Sequence, residues 1–244
     1  IYVIFEDGTD IYWARSRILE YLQAVKNKLP ADVNPVLGPD ATSLGWGFTY
    51  ALVDETKQHD LSQLRTIQDY NIKLALESVP GVSQVASIGG FVKQYQVTID
   101  PNRLAAFNIP ITKVMEAVRR SNRDVEGRVL ELSGVEYMVR GRGYIQNRKD
   151  VEDIPVGSGS GGTPIFLRDV ASVQIGPEIR RGLVDLDGRG EVVGGIVVVR
   201  FGENVLNVIE RVKERLKQDV EPSLPKGVKI VTTYDRSDLI RRAV

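Results

Sequence analysis

Residues 60–88 read DLSQLRTIQDYNIKLALESVPGVSQVASI and contain a complete helix-then-strand unit. Asp60 stands three residues before Gln63, which is the spacing of a helix capping box. The apolar residues that follow recur at helical steps: Leu61, Leu64, Ile67 and Leu74. A Val-Pro-Gly turn then breaks the helical pattern, and residues 82–88 are typical of a strand.

The same unit recurs on both sides of this stretch. Residues 10–29 and 205–216 each carry an amphipathic helix pattern. Strand candidates precede and follow these helices, at residues 1–5, 33–37, 48–53, 192–201 and 228–233. The second and third units together predict the order βαββαβ, a ferredoxin-like sandwich with helices on one face of an antiparallel sheet. The first unit supplies half of a similar sandwich.

The segment between these halves has a different character. A strand candidate at 93–99 and a short helix at 111–121 lead into it, and glycines, charged turns and short β-type runs dominate residues 122–181. We expect a small β-rich insertion there, with the glycine-rich residues 157–162 as a loop or hairpin tip. The chain is therefore predicted to be an α+β protein.

The composition excludes several classes of protein. The 244 residues carry 32 Lys+Arg against 32 Asp+Glu, whereas a nucleic-acid binder has a basic surplus. The absence of cysteine excludes disulfides, thiolate nucleophiles and Cys-ligated zinc, and one histidine excludes a multi-His metal site within the chain. No run approaches the roughly 18–20 apolar residues of a membrane helix. Because the chain opens at Ile1, inside a strand pattern, we expect it to be a piece of a longer protein.

Four local patterns resemble chemical motifs, and each favours a structural role. Residues 157–162 match G-x-G-x-x-G, but a strand pattern follows where a nucleotide site needs a helix. The acidic residues 6–10 fit a turn with a helix cap at Asp10. His59 lacks a nucleophile partner and is expected to be a solvated loop residue. Met115 is expected in a core, and two isolated methionines, Met115 and Met138, do not make a soft-metal site. None of these patterns supports a catalytic site, so the sequence predicts that the chain is not an enzyme.

Trp46 lies between two glycines at the joint of the first and second units. Glycines at both sides permit unusual backbone angles, so the indole is expected at a domain seam. Hinge packing and a cleft wall both explain it.

Read in order, the chain resembles the first periplasmic loop of heavy-metal efflux pumps of the resistance-nodulation-division superfamily, and within it the copper/silver type. The resemblance covers essentially all residues. The motifs that carry it include Glu6-Asp-Gly-Thr-Asp10, Leu37-Gly-Pro-Asp-Ala-Thr42, Val85-Ala-Ser-Ile-Gly-Gly90, Tyr95-Gln-Val-Thr-Ile-Asp-Pro101, Leu167-Arg-Asp-Val-Ala171 and Lys229-Ile-Val-Thr-Thr-Tyr-Asp-Arg236.

The resemblance implies a role and partners. The whole protein would be a homotrimeric, proton-driven exporter in the bacterial inner membrane, working with a periplasmic adaptor protein and an outer-membrane channel. The fragment would be a soluble periplasmic portion without cofactor, nucleic acid or enzymatic activity. The cargo would be Cu(I) or Ag(I), or a divalent cation. The alternatives are the same role in a divalent-metal or drug efflux pump of the superfamily, and a stand-alone periplasmic binding or adaptor module.

The resemblance also implies a division of the chain. Residues 1–45 would be part of a first porter subdomain, and residues 46–121 with 182–235 the second. Residues 122–181 would form the docking subdomain, and residues 236–244 would begin the helix that leads to the membrane.

Two positions bear on the cleft where the cargo passes. Trp46 matches the copper/silver-type pattern, whereas divalent-metal relatives tend to carry an acidic residue there. The copper/silver type has methionine in place of Ile179, as one step of a methionine relay near the entrance of the cleft. Isoleucine has no donor atom, so that step is missing or altered. Trp46 and Ile179 are therefore expected to line the cleft without forming a metal site.

Overall fold

The computed structural model describes residues 2–30, 33–42, 45–123, 125–132, 135–141, 143–159, 161–180 and 182–243. The helices are α1 (Ile11–Val25), α2 (Leu61–Ile67), α3 (Lys73–Glu77), α4 (Pro101–Ala106), α5 (Ile111–Ser121), α6 (Arg148–Glu152), α7 (Leu167–Val170), α8 (Val205–Arg215) and α9 (Arg236–Ala243). The strands are β1 (Trp46–Asp54), β2 (Val82–Gly89), β3 (Lys93–Ile99), β4 (Val125–Leu132), β5 (Val135–Gly141), β6 (Pro155–Ser158), β7 (Pro164–Phe166), β8 (Ala171–Pro177), β9 (Val193–Val199) and β10 (Val228–Asp235).

The chain divides into two compact units. One contains the segments up to Val92 and from Ile179 onward, and the other contains Lys93–Glu178.

The first unit contains a four-stranded antiparallel sheet in the order β10–β1–β9–β2. Along the chain its elements follow as β1, α2 with α3, β2, β9, α8 and β10. This is the ferredoxin-like βαββαβ arrangement, so the α+β fold class predicted from the sequence is confirmed. The helix that starts at Leu61 also begins as predicted, since Asp60 and Gln63 form both hydrogen bonds of a capping box.

The core of this unit lies between the sheet and the helices on one of its faces. Alternate strand residues point toward the helices, as expected for a sheet with one buried side. The largest buried residues are Phe48, Tyr50 and Leu52 from β1, Ile72 and Leu76 from the helical segment before β2, and Ile209 from α8.

The first helix-then-strand unit differs from its prediction. Asp10 caps α1 as expected, with its side chain accepting a hydrogen bond from the Trp13 amide at 2.7 Å. The strands predicted at residues 1–5 and 33–37 are wrong, because the described residues of both segments pair with no strand and lie mostly exposed. A strand forms only where a partner satisfies its backbone groups, and the described residues offer neither segment such a partner.

The second unit consists of paired strands and short helices. Here β3 pairs with β8, β4 with β5, and β6 with β7, all antiparallel. Its core is built from apolar residues of α5, α6, β6, β7, α7 and β8. The glycine-rich residues connect β6 to β7, so the prediction of a hairpin tip there is confirmed for the described positions, and Ser160 lies outside them. Among the described residues the glycines lead directly into strand β7, whereas a dinucleotide site needs a helix N-terminus there to receive the pyrophosphate.

Residues 93–121 pack in this second unit, although the range implied by the family resemblance, 46–121 with 182–235, groups them with the four-stranded sheet. The reason is the long-range pairing of β3 with β8, which no local pattern announces. The predicted ranges of the porter and docking subdomains refer to roles in an assembly and stay predictions.

The core position predicted for Met115 is wrong. Its side chain is 47% exposed, because the buried side of α5 is formed by Val114 and Ala117 instead. Met138 belongs to β5, whose side chains lie outside the described part. Among the described helices, none has both the length and the apolar character needed to cross a bilayer.

Candidate functional site

The helices α2, α3 and α8 cover one face of the four-stranded sheet, and its opposite face is a candidate site. Strand register assigns residues to this face, because cross-strand partners point to the same side. Within the described strands, Thr233 has no cross-strand partner but joins them through the contact of its hydroxyl with that of Thr49. We call the set the open face: Trp46, Thr49, Ala51, Val53, Gln84, Ala86, Ile88, Gly194, Ile196, Val198, Lys229, Val231 and Thr233.

Trp46 stands at one end of the open face. It is the first residue of β1, pairs with Val198, and has 58% of its surface exposed. The adjacent Gly47 has no positive backbone angle, contrary to the role considered for it. Its function is close packing, since a Cβ there would lie 3.0 Å from the Val199 side chain. The backbone is thus fixed beside an indole that is open to solvent.

Ile179 stands apart from the strands, in the segment after β8. Its side chain is 85% exposed. The neighbouring segment lies beside the start of β9, because Val184 accepts a backbone hydrogen bond from Val192 at 2.9 Å. The structure therefore gives Trp46 and Ile179 exposed positions in the same unit, on different elements.

The open face offers few groups that could hold a cation. It contains no carboxylate, imidazole or sulfur atom. The hydroxyls of Thr49 and Thr233 share a hydrogen bond at 2.7 Å, and Lys229 forms an ion pair with Glu55 at 2.7 Å. Within the described ranges no cluster of three or more Asp, Glu, His or Cys residues could bind a metal ion. The face is an apolar wall rather than a ligand set.

A polar loop follows the far end of β1. Asp54 is nearly buried, with 3% of its side chain exposed, and accepts hydrogen bonds from Thr56 and His59. The His59 ring nitrogen Nδ1 lies 3.0 Å from Asp54 Oδ2. The Thr56 hydroxyl, at 2.6 Å, and the His59 backbone and ring hold the pKa of Asp54 well below its ordinary value despite burial. His59 is in a loop as predicted, but its ring is bonded to Asp54 and half-buried rather than freely solvated.

This loop borders a cavity of about 770 Å³ within the first unit. Its lining mixes apolar and charged residues, among them Leu52, Asp60, Phe91, Asp187, Glu191 and Val231. Three of the carboxylates there have partners, since Asp60 caps α2, Glu191 pairs with Arg180, and Asp54 is bonded as above. The sequence carried one local signal for this loop, an Asp two residues before a Thr, which is the spacing of an Asx-turn.

Asp40 forms a contact that sequence reasoning missed. Its carboxylate accepts a hydrogen bond from the Ser83 hydroxyl and lies 2.9 Å from Arg200 Nε. Burial acts to raise the pKa of Asp40, but the Ser83 hydrogen bond and the Arg200 charge outweigh it, so the pKa is lowered. Arg15 of α1 donates to the Gly38 carbonyl at 2.7 Å. The segment before β1 is thereby tied both to α1 and to the ends of β2 and β9.

Comparison with known proteins was informative over the whole chain. A family model described as the AcrB/AcrD/AcrF family matches residues 1–244. The cation efflux system protein CusA of Escherichia coli strain K12 is 54% identical over 244 residues, which is 100% of this chain and 23% of that protein. The putative cation efflux system protein SilA of Salmonella typhimurium is 52% identical with the same coverage.

A solved structure agrees with these relatives. The crystal structure of a heavy metal efflux pump, crystal form II, superposes with a TM-score of 0.86 at 31% identity, covering 98% of this chain and 23% of that one. The chain thus spans 23% of the length of the curated relatives and of the solved pump. With a family model matched along its entire length, the chain belongs to the AcrB/AcrD/AcrF family.

Proposed function

We propose that this chain is a periplasmic portion of a proton-driven, homotrimeric heavy-metal efflux transporter of the bacterial inner membrane, with Cu(I) or Ag(I) as its cargo. The observation that carries the proposal is the open face, a sheet surface opposite the helices of the core with an exposed Trp46 at one end. In this role the open face is one wall of the cleft through which the cargo passes. The relatives named as cation efflux proteins support the same role.

The wall guides the cargo without binding it. Divalent cations bind to carboxylate and imidazole ligands, and soft monovalent cations bind to several sulfur atoms. The open face has none of these groups. Trp46 and Ile179 are accordingly cleft-lining residues, and the metal ligands belong to another part of the transporter. The chain itself needs no cofactor and performs transport rather than catalysis.

The division of labour along the chain follows from the same proposal. Residues 1–45 contribute to a first porter subdomain, and residues 46–121 with 182–235 to the second, which includes the four-stranded sheet. Residues 122–181 serve as the docking subdomain for the outer-membrane channel, next to the adaptor protein. Residues 93–121 fold in one compact unit with most of that segment. Residues 236–244 lead to the membrane.

The test is export by the full-length transporter in a strain that lacks its own copper and silver efflux. The intact transporter should restore growth on Ag(I) and Cu(I) salts. Trp46→Ala should lower this tolerance at an unchanged amount of membrane protein, and Trp46→Phe should retain most of it. Tyr70→Ala is the matched control, because Tyr70 is an exposed aromatic residue that precedes α3, on the helical side of the sheet.

Other outcomes distinguish the alternatives. If the transporter restores tolerance only to divalent cations or only to drugs, its cargo is not Cu(I) or Ag(I). If the chain protects cells without any membrane segment, it is a stand-alone binding or adaptor module. A silver titration of the purified chain should reveal no stoichiometric site. A tight one-to-one silver site would contradict the proposal that this chain lines the cleft without binding the metal.

A further inference from the structure

Helix α9 is attached to α8 mainly through polar groups. Ser237 is the one buried residue of α9, with 0% exposure, while Ile240 is half-buried and Leu239 is largely exposed. There is thus little apolar surface between α9 and its neighbours to fix its direction. Polar contacts must do so instead.

The first polar contact forms where β10 ends. The Lys213 ammonium group of α8 contacts the Asp235 carboxylate and lies 3.2 Å from the Ser237 hydroxyl. Asp235 also accepts a hydrogen bond from the Ser237 amide at 2.9 Å. One lysine therefore joins three elements, because it reaches from α8 to the last residue of β10 and to the first turn of α9.

The second contact lies further along α9. Arg241 Nη2 is 2.9 Å from Glu210 Oε1 of α8. Glu210 and Lys213 are three residues apart, and Ser237 and Arg241 four apart, so each pair shares one side of its helix. The more N-terminal residue of α8 meets the more C-terminal residue of α9. The helices therefore run antiparallel, and two contacts hold α9 along its length.

We infer that Lys213 and Glu210 are positioning residues, which lock the direction of α9 to α8 so that α9 and the four-stranded sheet move as one body. A single contact would leave α9 free to pivot, whereas two contacts about a helical turn apart fix its direction. The consequence of this inference for transport rests on the proposed function. If α9 leads to the membrane, the two contacts between α8 and α9 transmit movement of the membrane-spanning segments to the open face.

The direction of α9 can be measured in this chain because it has no cysteine. Nitroxide labels are placed at Lys217→Cys, in the turn that follows α8, and at Arg242→Cys on α9, both exposed positions. The reference protein should give one narrow distance peak by pulsed spin resonance. Lys213→Met or Glu210→Gln should broaden the peak, and the two changes together should abolish it. Lys226→Met, an exposed lysine of the same unit, is the control and should leave it narrow.

A charge reversal separates direct pairing from loss of folding. Glu210→Arg combined with Arg241→Glu should restore the narrow peak that either single reversal removes. A narrow peak that persists in the Lys213→Met/Glu210→Gln protein would overturn the inference. In the full-length transporter the same two changes should reduce metal tolerance at an unchanged amount of protein. If the intact transporter exports no metal, the proposed function is wrong. The distance measurement still tests independently whether Lys213 and Glu210 fix the direction of α9.

Discussion

The hydroxyl of Tyr50 on β1 donates a hydrogen bond to the Gln68 side-chain oxygen at 2.9 Å, and both residues lie in the core. Gln68 in turn donates to the Ser87 hydroxyl of β2 at 3.3 Å. Burial raises the pKa of Tyr50, so the phenol keeps its proton and remains a donor. A chain of polar groups thus crosses an apolar core between the sheet and the helical segment after α2.

The first prediction concerns this buried hydrogen bond. Tyr50→Phe removes the donor and leaves the Gln68 oxygen buried without it, which should cost about 1–3 kcal/mol of unfolding free energy. Denaturant titration followed by circular dichroism measures it. Tyr70→Phe changes an exposed tyrosine and should have no measurable effect. Equal stability of the two variants would show that the bond contributes nothing.

The second prediction follows from the space around the Tyr50 ring. Gly195 of β9 lies opposite Tyr50, and a Cβ there would meet the aromatic ring far inside van der Waals contact. Gly195→Ala should therefore destabilise the fold by about 1–3 kcal/mol, the usual cost of overpacking a core. Gly38→Ala is the control, because a Cβ at Gly38 would meet no atom within 4 Å. Thermal unfolding of both variants should separate them, and a Gly195→Ala midpoint equal to that of Gly38→Ala would contradict the packing described.

Local patterns were enough to predict the helices α1, α2, α5 and α8 and the βαββαβ order of elements along the chain. The capping box at Asp60 and the apolar period after it act within one stretch of chain, so they are visible in the sequence. The β3–β8 pairing is different, because its two strands are far apart in sequence and close only in space. The strands predicted at 1–5 and 33–37 failed for a related reason, since their alternation gives no information about whether a partner strand exists.

The ion pairs that join separate elements of the fold could not be predicted from the sequence either. Asp40 meets Arg200, and Lys213 meets Asp235, through pairs of charges with no recognisable spacing. Such pairs depend on where two elements cross, which the fold determines and a local pattern does not. Trp46 is recognisable in the sequence because glycines flank it, and its place in a cleft wall stays a prediction.

The third prediction uses the lowered pKa of Asp54. A carboxylate with a depressed pKa in the folded state stabilises the fold above its unfolded pKa, about 3.9. This stability is lost as the pH falls through the lower folded value. The melting temperature of the unaltered chain should therefore fall more steeply below about pH 4 than that of Asp54→Asn. At neutral pH the Asn variant should be the less stable protein.

The control for this prediction is Asp7→Asn, which changes an exposed aspartate in a turn. Its melting temperature should follow that of the unaltered chain at every pH. Parallel pH profiles for the unaltered chain and Asp54→Asn would mean that the hydrogen bonds from Thr56 and His59 do not favour the ionised carboxylate.

The fourth prediction concerns α1, which exposes an apolar groove of about 590 Å³. The groove is lined by Val3, Phe5, Trp13, Ile18 and Leu22. In α1 only Ala14 is buried, whereas α8 buries Val208, Ile209 and Val212. Because amide protection depends on buried contacts, α1 should exchange its amide hydrogens much faster than α8 in a monomer.

Varying the protein concentration tests whether copies of the chain associate through this groove. If another copy of the chain covers the groove, protection of α1 should rise with concentration, together with the mass measured by sedimentation. Ile18→Lys should prevent both changes, because a charge in the groove would have to be buried on association. Glu20→Lys alters an exposed residue of the same helix and should not prevent them. Strong, uniform protection of residues 2–28 in a proven monomer would show instead that α1 is already stable without a partner for its apolar face.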